Sequence, residues 1–312
     1  MPQLTVVVPA YNEAAVLRMF HQRLRLVLDT LALESSVLYV DDGSADDTWT
    51  IIESLIASDR RTGALRLSRN FGKEAALTAG LDAVTADAAV VIDADLQDPP
   101  ELIPQLVEQW QAGYDVVYAT RSARAGESSF KRFTAAAFYR SMERLSDTRI
   151  PRDTGDFRLL SRRALDALAQ LRERQRFMKG LFSWIGYRQT AVHYLRDPRQ
   201  GGITKWNYWR LAQLAIEGIT SFSTAPLRLA TWVGLTSALA AFAYGSWVLI
   251  KALFYGDPVR GYPTLMLVIL FIGGVQLLAL GVIGEYLGRN YAESKQRPLY
   301  FVEEQRRPRS AP

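Results

Sequence analysis

The sequence predicts an α/β fold with a mostly parallel sheet, followed by an amphipathic helix and a two-helix membrane hairpin. Short apolar runs alternate with helical patterns in the first 119 residues, which is typical of α/β domains. Two later stretches, 229–250 and 261–284, contain no formally charged residue. Each is long enough to cross a bilayer core of about 30 Å as a helix.

Five apolar runs in the first part have the length and composition of buried strands. They are Leu4–Val8, Ser36–Val40, Ala64–Leu67, Ala88–Ile92 and Val116–Ala119. Helical patterns lie between them, over 16–31, 46–58, 74–84 and from Pro99 onward. This alternation predicts right-handed crossovers and helices on both faces of the sheet. Such sheets bind ligands at the carboxyl ends of their strands, so the residues there are the candidate site.

Composition excludes several classes of protein. The 312 residues are 49% hydrophobic and 22% charged, which excludes a disordered chain. Cysteine is absent, which excludes a disulfide scaffold, a thiolate metal site and a cysteine nucleophile. The first strand is not followed by GxGxxG and no GxxxxGK[ST] is present, which disfavours a dinucleotide-binding domain and a P-loop NTPase. The net charge of +5 fits nucleic acid, an acidic membrane surface or a phosphorylated substrate.

Charge and hydropathy divide the chain into five segments. We expect an α/β domain over 1–202, an interfacial amphipathic helix over 203–226, membrane helices over 227–256 and 261–286, and a basic tail over 287–312. Two buried core helices are the alternative to a hairpin, but aromatic residues near the ends of both stretches favour membrane spans. Basic residues flank the pair on its outer sides, which predicts a multi-pass protein of the plasma membrane with both termini and the α/β domain in the cytoplasm.

Carboxylates follow two of the predicted strands. Asp93 and Asp95 come directly after the fourth strand and point the same way if the chain is still extended there. Together they offer hard oxygen ligands for Mg²⁺ or Mn²⁺. The alternative is a solvated acidic turn in which Asp98 caps the helix that begins at Pro99. Asp42 follows the second strand and either caps a helix or accepts hydrogen bonds from a ligand.

Five motifs together resemble a known family. They are VVVPAYNE at 6–13, VDDGSADDT at 40–48, LSRNFGKEAALTAGLDA at 67–83, IDADLQDPPE at 92–101 and DTGDFRLLSR at 153–162. In this order they are similar to the family-2 inverting glycosyltransferases, which have a Rossmann-like GT-A fold. The hairpin narrows the resemblance to membrane-anchored polyprenyl-phosphate glycosyltransferases, among them bactoprenol glucosyltransferases and dolichol-phosphate mannosyltransferases. Processive polysaccharide synthases carry a QxxRW motif, which is absent here.

The resemblance implies roles for the residues at the strand ends. Nucleotide-sugar binding is assigned by similarity to Pro9, Tyr11, Glu13, Asp42, Lys73 and Asp93. A divalent cation, Mg²⁺ or Mn²⁺, is assigned to Asp93, Asp95 and Gln97. Asp95 and Asp156 are the expected catalytic residues, with Asp156 acting as a base or as an orienting group. The alternative for Asp156 is local pairing with Arg152 or Arg158.

Basic residues concentrate after the fifth strand. Residues 121–163 contain eleven Lys or Arg against five Asp or Glu. By resemblance, the phosphate of a lipid acceptor is assigned to Arg121, Lys131, Arg132 and Lys205. A solvated charged helix is the alternative, and nucleic acid is disfavoured because aromatic residues do not interleave with these charges.

The implied reaction is inverting transfer of a hexose to a polyprenyl phosphate for glycosylation of the cell envelope. The resemblance favours glucose from UDP-glucose and undecaprenyl phosphate as acceptor. A GDP-mannose-dependent enzyme is the second hypothesis, and a non-catalytic scaffold or a component of a lipid-linked sugar flippase is the third. Transport is disfavoured because the stretches 229–250 and 261–284 within the spans carry no charge. The expected partners are the two substrates and the bilayer; a homo-oligomer is compatible with the sequence.

Overall fold

Eight strands of the computed structural model form one mixed sheet. The structure describes residues 1–121, 154–174, 176–194, 225–255 and 261–308. The strands are β1 (Gln3–Ala10), β2 (Glu34–Asp41), β3 (Thr62–Leu67), β4 (Ala88–Val91), β5 (Val116–Arg121), β6 (Thr154–Ser161), β7 (Gln189–Tyr194) and β8 (Val302–Arg306). Their order across the sheet is β7-β5-β6-β4-β1-β2-β3-β8.

The carboxyl ends of five strands meet at one edge of the sheet. Strands β1, β2, β3 and β4 run parallel, so their carboxyl ends meet at one edge. β6 is antiparallel to both β4 and β5, which makes β5 parallel to β4. The carboxyl end of β5 therefore lies at the same edge, and β6 begins there.

Helices cover the sheet between its strands. In the first unit they are α1 (Leu17–Leu28), α2 (Thr48–Ser58), α3 (Lys73–Asp82), α4 (Ile103–Gln111), α5 (Arg162–Gln170) and α6 (Met178–Trp184), with a 3-10 turn at Pro100–Leu102 before α4. The prediction of an α/β fold with a mostly parallel sheet is confirmed.

Both faces of β1 are buried, which explains why its sequence is a continuous apolar run. Val6 and Val8 belong to the large core cluster with Phe20 of α1. Val7 points to the opposite face, because side chains alternate along a strand. There it meets Gly80 of α3, where an added Cβ would lie 2.4 Å from Val7 Cγ1. The small residue lets α3 approach the sheet closely and fixes the start of α3 near the strand ends.

The hairpin forms a second unit, which contains the described residues 225–255 and 261–296. Its helices are α7 (Ala225–Tyr255) and α8 (Tyr262–Ser294). Over the residues described, one helical stretch, Phe271–Ser294, is long and apolar enough to cross a membrane, and none of its residues is buried. The apolar stretch Ala230–Tyr244 is shorter. Most of the expected amphipathic helix at 203–226 lies outside the described residues.

The end of the chain differs from the predicted basic tail. α8 continues beyond the predicted end of the second span at residue 286 and ends at Ser294. Residues 297–308 then belong to the first unit, because β8 pairs antiparallel with β3 at the edge of the sheet. The tail is therefore partly a strand of the α/β domain. Its sequence, VEEQR, has no apolar alternation that would predict this.

Candidate active site at the carboxyl edge of the sheet

A cleft of about 300 Å³ opens at the carboxyl ends of β1 to β4. Its walls come from the segments that follow these four strands and from the first turns of α3. The lining residues are Pro9, Ala10, Tyr11, Glu13, Asp42, Asn70, Gly72, Lys73, Ala76, Asp93, Ala94 and Asp95. The location agrees with the expectation that parallel sheets bind ligands at this edge.

Strand register brings Asp93 and Asp156 opposite each other. β4 and β6 are antiparallel with Val91 paired to Arg158. Continuing this register two residues forward from Val91 and two residues back from Arg158 places Asp93 beside Asp156. Residues two apart on a strand point to one face, so the two carboxylates converge although 63 positions separate them in sequence.

Lys73 joins the two carboxylates. Its Nζ lies 2.7 Å from Asp93 Oδ2 and 2.6 Å from Asp156 Oδ2. Burial alone would lower the pKa of Lys73, but the two carboxylates outweigh burial and raise it. The ammonium group therefore stays charged and holds both aspartates in place. The local alternative for Asp156 is only partly right: Arg158 binds its backbone carbonyl, at 3.4 Å, rather than its carboxylate.

Surrounding cations keep Asp156 ionised. Burial acts to raise its pKa, but Lys73, Lys179 and Arg158 outweigh burial and bring the pKa below the usual value. One carboxylate oxygen, Oδ1, is buried without a hydrogen-bond partner in the described part of the chain. Asp156 does not itself line the cleft, and a carboxylate with a lowered pKa is a weak base.

Arg158 and Glu74 are the buried charged groups next to Asp156. Arg158 is 3% exposed, donates to the carbonyl oxygen of Gly155 at 2.8 Å, and stacks 3.9 Å from the centroid of the Phe182 ring. Glu74 accepts the backbone N–H of Met178 at 3.2 Å. Burial, followed by the charge of Asp156, raises the pKa of Glu74 to about 7. Arg158 was predicted only as a local partner of Asp156, and Glu74 was not predicted, although both lie inside the motifs at 67–83 and 153–162.

The carboxylates around Asp95 could bind a cation jointly with a substrate. Asp95 lines the cleft, and its Oδ1 accepts the backbone N–H of Gln97 at 3.0 Å. Leu96 between them has φ +59°, a conformation that a branched side chain rarely adopts and that is often found at functional sites. Burial and then the charges of Asp95 and Asp93 raise the pKa of Glu13, so three carboxylates share this end of the cleft.

These carboxylates suit a metal ion whose coordination is completed by oxygen atoms of the substrate. Among the described residues, no cluster of three or more acidic or histidine side chains is arranged to enclose an ion alone. Mg²⁺ is commonly held by one or two carboxylates together with substrate phosphates, which requires no complete protein cage. Gln97 is not among the residues that line the cleft, so its assignment as a ligand stays a prediction.

Asp42 anchors the loop that carries Lys73. Its Oδ1 accepts the N–H of Phe71 at 2.8 Å, and its Oδ2 accepts the N–H of Gly72 at 2.9 Å. Burial raises the pKa of Asp42, although these two N–H groups oppose the rise. Gly43 presses against the same loop, since an added Cβ would lie 2.5 Å from the Arg69 carbonyl carbon. The contact joins the turn after β2 to the segment after β3.

Tyr11 and Glu13 form the rim of the cleft next to this turn. Tyr11 is 45% exposed, as a ring that stacks on a ligand would be. The N–H of Glu13 donates to Thr48 Oγ1 at 2.9 Å, and the N–H of Asn12 donates to Ser44 Oγ at 3.0 Å. These bonds tie the turn after β1 to the turn after β2.

Most of the predicted donor and catalytic residues come together at this edge. Asp98 precedes the 3-10 turn, and its Oδ1 accepts the Tyr194 hydroxyl at 2.5 Å. Arg121 ends β5 at the same edge. The other three residues assigned to the lipid phosphate, Lys131, Arg132 and Lys205, lie outside the described residues.

Comparison with known proteins identifies both parts of the chain. The glycosyl transferase family 2 profile matches residues 5–169, and the profile called GtrB C-terminal hairpin matches residues 225–289. A mannosyltransferase from Pyrobaculum calidifontis, solved with GDP-Man and Mn²⁺, is 18% identical with a TM-score of 0.49, covering 89% of this chain and 87% of that one.

Relatives match over nearly the whole length. An uncharacterized glycosyltransferase of Synechocystis is 51% identical over 96% of this chain and 94% of its own. A bactoprenol glucosyl transferase of Shigella phage SfV is 47% identical over 97% of this chain and 99% of its own. A prophage bactoprenol glucosyl transferase homolog of Escherichia coli is 46% identical over 96% and 98%. With a family profile over residues 5–169 and relatives at 46–51% identity over nearly its whole length, the chain belongs to glycosyl transferase family 2.

Proposed function

We propose that the protein transfers glucose from UDP-glucose to a polyprenyl phosphate, with inversion, at the cytoplasmic face of the plasma membrane. The convergence of Asp93, Asp95, Lys73 and Asp156 at the carboxyl edge carries the proposal. The names of relatives at 46–47% identity, bactoprenol glucosyl transferases, support the acceptor class and the sugar.

The donor nucleotide sugar occupies the cleft. Tyr11 and Pro9 offer an apolar surface to the base, and Glu13 and Asp42 offer carboxylates to the base or ribose. Lys73 and Asp93 lie further along the cleft, where the diphosphate and the sugar follow. Bound Mg²⁺ or Mn²⁺, held by Asp95 and Asp93, would neutralise the charge of the departing diphosphate.

Asp156 acts on the sugar as an orienting group. A phosphate monoester has a second pKa near about 6, so the acceptor is mostly dianionic at neutral pH and needs no strong base. The cations around Asp156 lower its pKa, which suits an ionised acceptor of hydrogen bonds better than a base. Its Oδ1 has no hydrogen-bond partner in the described part of the chain, and it would accept a sugar hydroxyl once the donor is bound. An acceptor oxygen then attacks the anomeric carbon as the nucleoside diphosphate leaves with the bonding electron pair.

The acceptor phosphate approaches from the side of β5. Arg121 ends this strand at the edge that bears the cleft, and Lys131, Arg132 and Lys205 are the further cations proposed for the phosphate. Guanidinium groups bind phosphate oxygens bidentately, which suits a site that must hold a dianion in one orientation.

The hairpin keeps the enzyme at the membrane that contains its acceptor. The chain leaves the α/β domain before α7 and returns to it at β8, seven residues after α8 ends. A hairpin with both ends tied to one domain requires both ends on the side where that domain folds. The basic flanks make that side the cytoplasm.

The direct test is product formation by purified protein with undecaprenyl phosphate, Mg²⁺ and a panel of nucleotide sugars. We expect a glucosylated lipid with UDP-glucose, little product with GDP-mannose, and none from Asp95→Asn or in excess chelator. The Asp95→Asn protein should keep the melting temperature of the wild type, because Asp95 lines the cleft and is only half-buried. Full activity in chelator would contradict the metal assignment, and product from GDP-mannose alone would establish the second hypothesis.

A further inference from the structure

The chain returns from the hairpin to the edge of the donor site. We call residues 300–306 the return segment. Its strand, β8, pairs antiparallel with β3, with Val302 opposite Leu67, the last residue of β3. The loop 68–72, which precedes Lys73, begins at the next residue. The return segment therefore lies beside the strand that leads into this loop.

Phe301 contacts the loop directly. Its carbonyl oxygen accepts the backbone N–H of Ser68 at 3.0 Å. Its ring lies 6.2 Å from the Phe71 ring, centroid to centroid, at an angle of 52°, which is within the range of a favourable aromatic pair. Arg69 stacks 4.0 Å from the centroid of the same Phe71 ring. The return segment thus supports the loop at its first residue and at its aromatic side chain.

Tyr300 contacts the helix that follows the loop. Its hydroxyl donates to Asp82 Oδ2 at 2.8 Å, and Asp82 is the last residue of α3. Arg172 of the same unit binds this carboxylate oxygen at 2.6 Å. Because α3 begins at Lys73, the return segment holds the loop and the far end of α3 at once.

These contacts reach the cleft only through other residues. Neither Phe71 nor Phe301 lines it. The backbone N–H of Phe71 instead donates to Asp42, which does line it. Phe301 is 56% exposed, so its ring contributes little to the buried core. Phe301 is therefore placed to orient the loop, and we expect folding to depend on it little.

We propose that the return segment is a positioning element for the nucleotide sugar, with Phe301 as its principal contact. It holds loop 68–72 in the conformation in which Asp42 and Lys73 face the cleft. The affinity for the nucleotide sugar then depends on the return segment, which follows the hairpin in the sequence. That the ligand is a nucleotide sugar rests on the proposed function. That Phe301 keeps loop 68–72 ordered rests on the geometry alone.

The test compares Phe301→Ala with Phe301→Tyr, which keeps the ring, and with Glu303→Gln, a control in β8 that loses only a contact with Arg66 at 3.7 Å. UDP binding with Mg²⁺ is measured by calorimetry, and KM is measured for UDP-glucose and for undecaprenyl phosphate. Loss of one aromatic pair should weaken UDP binding and raise the UDP-glucose KM about three- to tenfold, with the lipid KM within about twofold. Phe301→Tyr should restore the affinity, and Glu303→Gln should match the wild type.

Hydrogen exchange of residues 68–73 in the ligand-free protein gives a second readout. Faster exchange in Phe301→Ala supports the proposal whatever the substrate is. Unchanged UDP affinity and unchanged exchange would overturn it, and so would a rise in lipid KM alone, which would make Phe301 a membrane contact. If Phe301→Ala does not fold, Tyr300→Phe decides by the same two readouts. A wild-type protein that binds no nucleotide would refute the proposed function. The hydrogen-exchange result would still test whether Phe301 orders the loop, because it needs no ligand.

Discussion

At the scale of single residues, the site is organised around charges that compensate one another. Lys73 lies between Asp93 and Asp156, and Arg158 lies behind Asp156. Glu74 is the exception, because burial raises its pKa to about 7 and its carboxylate has a neighbour of the same sign in Asp156. This imbalance leads to a pH-dependent stability.

Replacing Glu74 with Gln should stabilise the protein at alkaline pH. The pKa of Glu74 rises from 4.5 to about 7 on folding, so the native state binds more protons than the unfolded state between these values. Stability from this group is present below pH 4.5 and is lost as the pH rises through about 7. Glu74→Gln removes the loss while its amide oxygen still accepts the Met178 N–H.

We expect a gain of about 1–3 kcal/mol at pH 8 and almost none at pH 4.5. Thermal unfolding at the two pH values measures it, with Glu108→Gln on the exposed side of α4 as a control. Equal shifts at both pH values would show that folding does not raise the pKa of Glu74.

Arg132 should contribute to acceptor affinity. Charge-assisted hydrogen bonds contribute about 1.5–3 kcal/mol each, so Arg132→Ala should raise the KM for polyprenyl phosphate by about one to two orders of magnitude. The KM for the nucleotide sugar should change far less, and Arg132→Lys should recover only part of the affinity. Arg18→Ala on the exposed face of α1 controls for the lost charge. A rise in the nucleotide-sugar KM alone would reassign this arginine to the diphosphate.

At the scale of elements, the cleft depends on contacts between turns that follow neighbouring strands. Gly43 has φ +66°, and a Cβ added there would lie 2.5 Å from the Arg69 carbonyl carbon and 2.7 Å from the Asn70 nitrogen. Gly72 also has a positive φ, of +98°, but nothing lies within 4 Å of the position of its Cβ. Substitutions at Gly72 and Gly43 therefore distinguish the effect of backbone strain alone from the effect of strain combined with a steric clash.

Gly43→Ala should therefore be more harmful than Gly72→Ala. Both substitutions force an L-residue into a strained conformation that costs about 1–3 kcal/mol. Only Gly43→Ala also displaces the loop 68–72, so it should lower the melting temperature further and weaken UDP binding. Thermal unfolding and calorimetry measure the two effects. Equal melting temperatures and equal affinities for the two variants would mean that the contact between the turns is unimportant.

Strand ends were predictable from the sequence where an apolar run stops at a polar motif. β1 to β5 and the carboxylates Asp42, Asp93 and Asp95 follow this rule. β6 was not predicted as a strand because Arg158 interrupts its apolar run, and the partnership of Asp156 with Lys73 depends on pairing across the sheet. β8 was missed because it is short and polar, and its partner strand lies more than 230 residues earlier.

At the scale of the whole molecule, the two profile matches correspond to the two units. The family-2 profile ends within the α/β domain, and the hairpin profile covers α7 and most of α8. The return of the chain to β3 after α8 ties the carboxyl-terminal segment to the α/β domain. The domain, the start of the hairpin and its end should therefore share one side of the membrane.

Cysteine labelling tests this topology, because the natural chain contains no cysteine and each introduced one is unique. Asp257→Cys, between the two helices, should react with an impermeant maleimide in intact cells. Ser310→Cys should react only after the membrane is permeabilised. The reverse pattern would place the active site outside the cytoplasm.

The central claim is that a lipid phosphate oxygen displaces the nucleoside diphosphate in a single step at this site. The anomeric configuration of the lipid product, determined by NMR after a reaction with UDP-glucose and undecaprenyl phosphate, tests it most directly. One displacement on the α-linked donor inverts the anomeric carbon, so the account predicts β-glucosyl phosphate joined to the lipid. An α-linked product, which requires two displacements, or release of free glucose without a lipid product would contradict it.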